Sequence, residues 1–246
     1  MNDILKVLIE IQGLEDEIQE ITRRKRVLPG EINELESEIE RLRKEKEKVV
    51  ADFKKEEVKL RELEVDLREI QEKIRSFQEK ARQVKSNEEF RAMQSQIEHA
   101  DLEKRKKEEE IIAQLELVEN LKNQLPDKTA KIEGELALKM EELNSKKEEF
   151  EKLNEAFEQK KALKETLLTK LPNKDRELFE KLYARLGPVV VCKVIMASNS
   201  VRKEIDYACS GCNSIIPPAF VQNLKMREDY SRCPNCGRII YYHEEM

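Results

Sequence analysis

Val84-Lys85-Ser86-Asn87-Glu88-Glu89-Phe90 is the stretch whose reading decides the fold. Ser86, followed three residues later by Glu89, has the form of a capping box. The hydroxyl accepts from first-turn amides while the carboxylate reaches back to the cap amide. A helix therefore starts here. A second helical pattern arrives at the same point from the N-terminal side, so the chain is expected to reverse direction near residues 85–88.

That incoming pattern starts with the chain itself. One row of positions runs Ile4, Ile11, Ile18, Lys25, Ile32, Ile39, Lys46, Phe53, Leu60, Leu67, Ile74, Ala81. Its companion runs Val7, Leu14, Ile21, Leu28, Leu35, Leu42, Val49, Glu56, Leu63, Ile70, Phe77, Val84. Of these 24 positions 21 are apolar, and Glu, Lys, Arg and Gln dominate the residues between. A 3.5-residue repeat sustained this long leaves a narrow apolar stripe that must be buried against another helix. Pro29-Gly30 lies inside the arm. Proline removes a donor and crowds the carbonyl four residues back, so a kink or short break that preserves the seam is expected there.

Beyond the turn, a second helical stretch runs to Leu171, where Leu171-Pro172-Asn173 ends it. Its seam reads Phe90, Met93, Ile97, Ala100, Ile111, Val118, Leu121, Leu125, then slips after Pro126 to Ile132, Leu136, Leu143, Phe150, Leu153, Phe157, Leu167, Leu171. Lys occupies several expected core positions. The arms are about 82 residues each, roughly 120 Å of helix at 1.5 Å per residue. Equal arms around one cap point to a long antiparallel coiled-coil hairpin over residues 1–171. A parallel dimer of one continuous helix would leave the central cap and the terminal stop unexplained. In such a hairpin Pro126 faces the neighbourhood of Lys46, with Glu56 about three turns away, and a bend or local opening is expected at that level.

Composition changes at Gly187-Pro188. Upstream, residues 172–187 read as a connecting helix, Asn173 to Leu186, with apolar Leu178, Phe179, Leu182 and Leu186, capped by Gly187. Downstream, residues 188–246 hold β-rich runs at Pro188–Met196, Glu204–Ala208 and Arg238–Tyr242. Four of the seven prolines fall in this part, and a module so small and so poor in apolar bulk needs a staple.

Cys209-Ser210-Gly211-Cys212 and Cys233-Pro234-Asn235-Cys236-Gly237 supply it. Two Cys-x-x-Cys turns can place four sulfurs about 2.3 Å from one zinc ion. Four thiolates leave no open position, which makes the zinc structural. Gly211 and Gly237 are read as relieving positive-φ strain in the turns. An iron–sulfur or rubredoxin-like iron site uses the same ligands. Cys192 lies outside the pattern and reads as a buried small hydrophobe, while His99 and His243 read as surface residues.

Lys, Arg, Asp and Glu make up 40% of the 246 residues, aromatics only 5%, and Trp is absent. A single globule of this length buries roughly 70% of its unfolded surface and needs more bulk than that. Residues 188–246 hold 7 Lys/Arg and 6 Asp/Glu (+1), leaving 40 and 46 (−6) for residues 1–187. Neither part has the basic excess of a non-specific nucleic-acid binder. No apolar run approaches the roughly 20 residues of a membrane span, and no secretory signal is visible, so a cytoplasmic location without membrane partners is expected. The two histidines are isolated and no Gly-rich phosphate loop occurs; an enzyme is not expected.

The tip Val84–Met93, the ribbon segments Cys209–Cys212 and Ile216-Pro217-Pro218, and Cys233-Pro234-Asn235-Cys236-Gly237-Arg238-Ile239-Ile240-Tyr241-Tyr242 together resemble a bacterial family. Its members pair a long helical hairpin with a C-terminal four-cysteine zinc ribbon. The resemblance implies zinc held by Cys209, Cys212, Cys233 and Cys236. For some lineages it also implies control of flagellar or developmental genes through the sigma-54 transcription factor or a messenger RNA.

The expected function is a non-enzymatic adaptor that binds a protein partner, of the sigma-54 kind, through hairpin and ribbon. Its expected contacts are the tip residues Asn87, Glu88, Glu89 and Arg91 and the apolar loop Ile215 to Val221, with Phe90 in the seam. The alternative is an RNA- or DNA-binding regulator using Arg227, Tyr230, Arg232, Arg238, Tyr241 and Tyr242. A tip-inserting transcript-cleavage factor fits less well, because Lys85 sits beside Glu88 and Glu89 on long arms.

Overall fold

A computed structural model describes residues 2–198, 205–227 and 229–243. The chain is mostly α: helix α1 (Asp3–Gln83), α2 (Asn87–Lys170) and α3 (Asn173–Leu186) are followed by β1 (Val191–Ser198), β2 (Ile205–Cys209), β3 (Ile215–Ile216), α4 (Pro218–Arg227), β4 (Ser231–Arg232) and β5 (Ile239–Tyr241). It divides into two compact units, Asn33–Asn144 and Met1–Ile32 with Ser145–Met246.

Every one of the 24 seam positions expected in the first arm is buried or half-buried. Helix α1 runs unbroken through Pro29 and α2 through Pro126, so of the kink or short break expected at Pro29 the break does not occur. Both prolines stand on exposed positions, where water can take the carbonyl each leaves without a donor. Thr129 adds a local anchor, its hydroxyl donating to the carbonyls of Leu125 (2.9 Å) and Pro126 (3.0 Å).

In unit Asn33–Asn144, α1 and α2 lie antiparallel around Leu35, Ile39, Leu42, Ile74, Ala100, Ile111 and Ile132. The lysines of the second seam reach acids on the facing helix: Lys139–Glu38 at 2.8 Å and Lys107–Asp66 at 3.3 Å. Lys46, polar in the first seam, meets Glu133 at 2.7 Å, and Gln114, buried, answers Glu56. Around Pro126 one buried row continues unshifted through Val118, Leu125, Ile132 and Lys139, while the other moves by one residue, from Leu121 to Thr129. The slip is thus confined to one of the two rows. Near this level an open groove of about 570 Å³ is lined by Arg43, Lys46, Val50, Ala51, Lys54 and Leu136.

At the turn, α1 ends at Gln83 and α2 starts at Asn87. Ser86 caps the new helix, its Oγ accepting from the Glu88 amide (3.3 Å) and its carbonyl from the Phe90 amide (3.0 Å).

In the other unit, three helices and the sheet share one core: Leu8 and Ile11 from α1, Leu167 and Leu168 from α2 with Leu171 just after it, Phe179 and Leu182 from α3, and Val190, Val191 and Ile239 from the sheet segment. Here α1 is buried on more than its seam, with Leu5, Leu8, Gln12 and Glu15 all inside. Glu15 sits at 1% exposure with the Lys164 ammonium against it, Gln19 donating at 2.9 Å and the Tyr183 hydroxyl at 2.9 Å. Lys25, the other polar seam residue, stands 4.4 Å from the Phe157 ring centroid.

Helix α3 has the bounds its pattern predicts and ends on Gly187 at φ 80°. The sheet order is β3-β2-β1-β5-β4, with β1 and β5 parallel and the other pairs antiparallel. The expected strands correspond to β1, β2 and β5; Glu204, Glu228, Glu244 and Glu245 lie outside the described residues. The expected apolar loop Ile215–Val221 is corrected: only Ile215–Ile216 is extended, and Pro218 opens helix α4. Proline suits a first helical turn, where its missing donor is not needed.

Candidate metal centre

Each Cys-x-x-Cys turn is closed by the same two backbone bonds. In the first, Asn213 N–H donates to the Cys209 carbonyl (2.8 Å) and Cys209 N–H to the Ser214 carbonyl (3.1 Å). In the second, Gly237 N–H donates to the Cys233 carbonyl (2.9 Å) and Cys233 N–H to the Arg238 carbonyl (2.8 Å). The residue after the second cysteine takes positive φ in both, 56° at Asn213 and 75° at Gly237. Asn and Gly are the residues that tolerate that region.

Gly211 is needed for a different reason from the one expected. Its φ is ordinary, but a Cβ there would stand 2.4 Å from the Cys192 sulfur and 2.7 Å from Arg238 Cδ. Close approach, not backbone strain, demands glycine.

The four sulfurs of Cys209, Cys212, Cys233 and Cys236 lie within 4.8 Å of one another, with Cys212 and Cys233 3.9 Å apart. A tetrahedron with metal–sulfur bonds of about 2.3 Å has edges of about 3.8 Å, so the donor set fits one zinc ion. Among the described residues no other His, Cys, Asp or Glu group of three or more forms such a cluster. Burial pushes the Cys209 and Cys233 thiols up. Burial also opposes the Cys212 thiolate, yet the Ser214 hydroxyl and amide bring its pKa down to about 6. A bound cation would favour the thiolate at all four positions.

Second neighbours complete the centre. Asn235 Nδ2 lies 3.9 Å from the Cys212 sulfur and also contacts the Ser214 hydroxyl. Ser210 ties the first turn to β1, its amide donating to the Lys193 carbonyl and its Oγ accepting from the Lys193 amide. Arg238 has a contact that the sequence did not announce. Its Nε donates to the Val189 carbonyl at 2.7 Å. Burial works against its cation, but the Cys236 thiolate, with Cys192 and Cys209 behind it, holds its pKa above the ordinary value. The signal available in the sequence was its place two residues after the last ligand.

Cys192 is buried, as expected, and His99 and His243 are exposed. At the tip Asn87, Glu88, Glu89 and Arg91 are exposed, and so is Phe90, which the sequence places in the seam. Ile215 is 64% exposed, but Val221 is 1% exposed and packs with Ile216, Leu224 and Cys209. Val221 is therefore core, not contact surface. Of the residues considered for RNA, Arg232 is exposed, while the Tyr230 hydroxyl is engaged by Asp175.

Residues 208–240 match the C4-type zinc ribbon domain. This region carries the four cysteines positioned to bind one metal ion. No curated protein matches the chain. Among solved structures, the CT398 protein of Chlamydia trachomatis aligns over 98% of both chains at 19% identity, with a TM-score of 0.66. A Mycobacterium smegmatis protein aligns over 98% of this chain and 97% of its own at 16% identity, with a TM-score of 0.67. The HP0958 protein of Helicobacter pylori aligns over 99% of both at 23% identity with a TM-score of 0.45. The first two share the two-helix fold with its terminal strand-rich module. A zinc ribbon domain suggests binding to nucleic acid or protein. Among the described residues no helix is long and apolar enough to cross a membrane.

Proposed function

We propose that the protein is a non-enzymatic cytoplasmic adaptor, with the zinc as a structural staple and a protein as its partner. The observation that carries this reading is apolar surface left open beside polar groups at the turn and on the ribbon. Phe90 is 48% exposed among Asn87, Glu88, Glu89 and Arg91. On the ribbon, Ile215, Met196 and Met226 are 64%, 69% and 80% exposed. Exposed apolar side chains suit a protein contact better than a phosphate backbone.

For some lineages the resemblance drawn from the tip and ribbon motifs implies a transcription factor of the sigma-54 kind as that partner. Affinity capture by the full chain, with and without nuclease, tests it against Phe90→Asp and Ile215→Glu. A nuclease-resistant partner lost in either variant supports an adaptor. Capture that disappears with nuclease supports the alternative.

That alternative, RNA or DNA binding by the ribbon, is favoured by one feature. Arg185 and Arg232 converge above Gly237, their Nη2 atoms 3.0 and 3.5 Å from where a Cβ would stand. Affinity that falls steeply with salt would mark phosphate contacts.

A further inference from the structure

The segment joining α3 to β1 is held from two sides. On one side, buried Gln12 of α1 accepts with its Oε1 from the amides of Val190 and Val191, both at 2.8 Å, and donates from Nε2 to the Pro188 carbonyl at 3.1 Å. On the other side stands the second cysteine turn. Arg238 Nε donates to the Val189 carbonyl at 2.7 Å, and Ile239 N–H to the Val190 carbonyl at 3.0 Å. Four consecutive residues are thus pinned between the hairpin and the metal centre.

Arg238 belongs to both cysteine turns. Its carbonyl closes the second by accepting from Cys233 N–H. Its side chain lies across Gly211 of the first, Cδ and Nε falling 2.7 and 3.2 Å from where a Cβ would be. Its position therefore depends on the two turns being held together, which is what a metal ion between them does.

We propose that metal occupancy and the seating of residues 188–191 on α1 are one coupled equilibrium, transmitted by Arg238. With the four thiolates bridged by a metal, the turns close on the Arg238 stem and Nε holds Val189 in place for Gln12. With the thiolates released, the turns separate, Arg238 loses its bed on Gly211, and the Val190 and Val191 amides exchange with water. Binding at one site and docking at the other then bias each other reciprocally. Arg238 is a positioning residue in this scheme.

Two measurements on the full chain test it. Hydrogen exchange at the Val190 and Val191 amides is expected to be at least about tenfold faster after zinc is stripped by a chelator, and in zinc-loaded Arg238→Ala it is expected to be fast already. Reciprocally, Gln12→Ala, at a residue that bonds none of the four ligands, is expected to weaken zinc roughly tenfold in competition with a chromophoric chelator. The cobalt-substituted spectrum of that variant should remain tetrathiolate, showing that the ligands are intact. Equal protection of the two amides with and without zinc would overturn the proposal. So would unchanged zinc affinity in Gln12→Ala.

Discussion

Gln114 donates from its Nε2 to Glu56 twice, at 2.8 Å to the carboxylate and 3.1 Å to the backbone carbonyl. Gln114 is 5% exposed and Glu56 half-buried, so this is a polar layer inside the coiled-coil seam. Such layers specify register more than they stabilise. Gln114→Leu strands a half-buried acid and is expected to cost about 1–3 kcal/mol in chemical denaturation. Replacing both by Leu should recover that loss, since a well-packed apolar pair offsets what the polar layer provided. A double variant no more stable than the single one would show that the layer is not a coupled unit.

Glu15 and Tyr183 set opposite pH limits on the base of the hairpin. Burial raises the Glu15 pKa, but Lys164, Gln19 and Tyr183 outweigh it and leave it below the ordinary carboxylate value. A depressed folded pKa stabilises above the unfolded value of about 4.5, and that contribution fades as pH falls through the folded pKa. Tyr183 goes the other way, pushed up to about 12 by burial and by Glu15. Its contribution is complete below about pH 10 and is lost as pH rises toward 12. Denaturation curves should therefore show Glu15→Gln flattening the acid limb and Tyr183→Phe the alkaline one. Swapped or absent effects would rule out this assignment.

The two ribbon glycines should answer differently to alanine. At Gly237 the new Cβ meets the end of the flexible Arg185 side chain, so the cost is the left-handed backbone, about 1–2 kcal/mol. At Gly211 it meets the sulfur of buried Cys192 at 2.4 Å, an overpacking error typically worth 1–3 kcal/mol or more. Removing that sulfur in Gly211→Ala/Cys192→Ala should recover part of the loss, and Cys192→Ala should do nothing for Gly237→Ala. Thermal melting of the zinc-loaded protein reads both.

The seam of α1 was legible because a strict seven-residue repeat has one structural meaning, whatever the partner helix. The four thiolates were legible because their spacing is itself the geometry of the site. The base was not. Leu8, Gln12 and Glu15 meet α3 or the sheet segment, which arrive much later in the chain, and no local period can announce a second partner of that kind. Val221 was misplaced because Pro217-Pro218 reads as loop, although proline also begins helices. The bond from Arg238 to the Val189 carbonyl was not legible, because a backbone acceptor is invisible to side-chain patterns.

Metal removal should loosen the unit that carries the four cysteines and spare residues 33–144. Cys209→Ser or chelation withdraws a binding energy of about 10–16 kcal/mol in comparable small sites, far more than a small five-stranded sheet can replace. The sheet segment, however, contributes Val190, Val191 and Ile239 to a core shared with Leu8, Leu167, Phe179 and Leu182. Loss of the ribbon is therefore expected to loosen α3 and the ends of α1 and α2 as well, while the seam and ion pairs of residues 33–144 are untouched. Limited proteolysis of the stripped protein should yield early cuts within residues 172–246 and a resistant helical fragment containing residues 33–144. Far-UV circular dichroism should keep most of its helical signal. Global unfolding on chelation would mean the long helices depend on the metal centre, and an unchanged cleavage pattern would mean the shared core holds the ribbon without it.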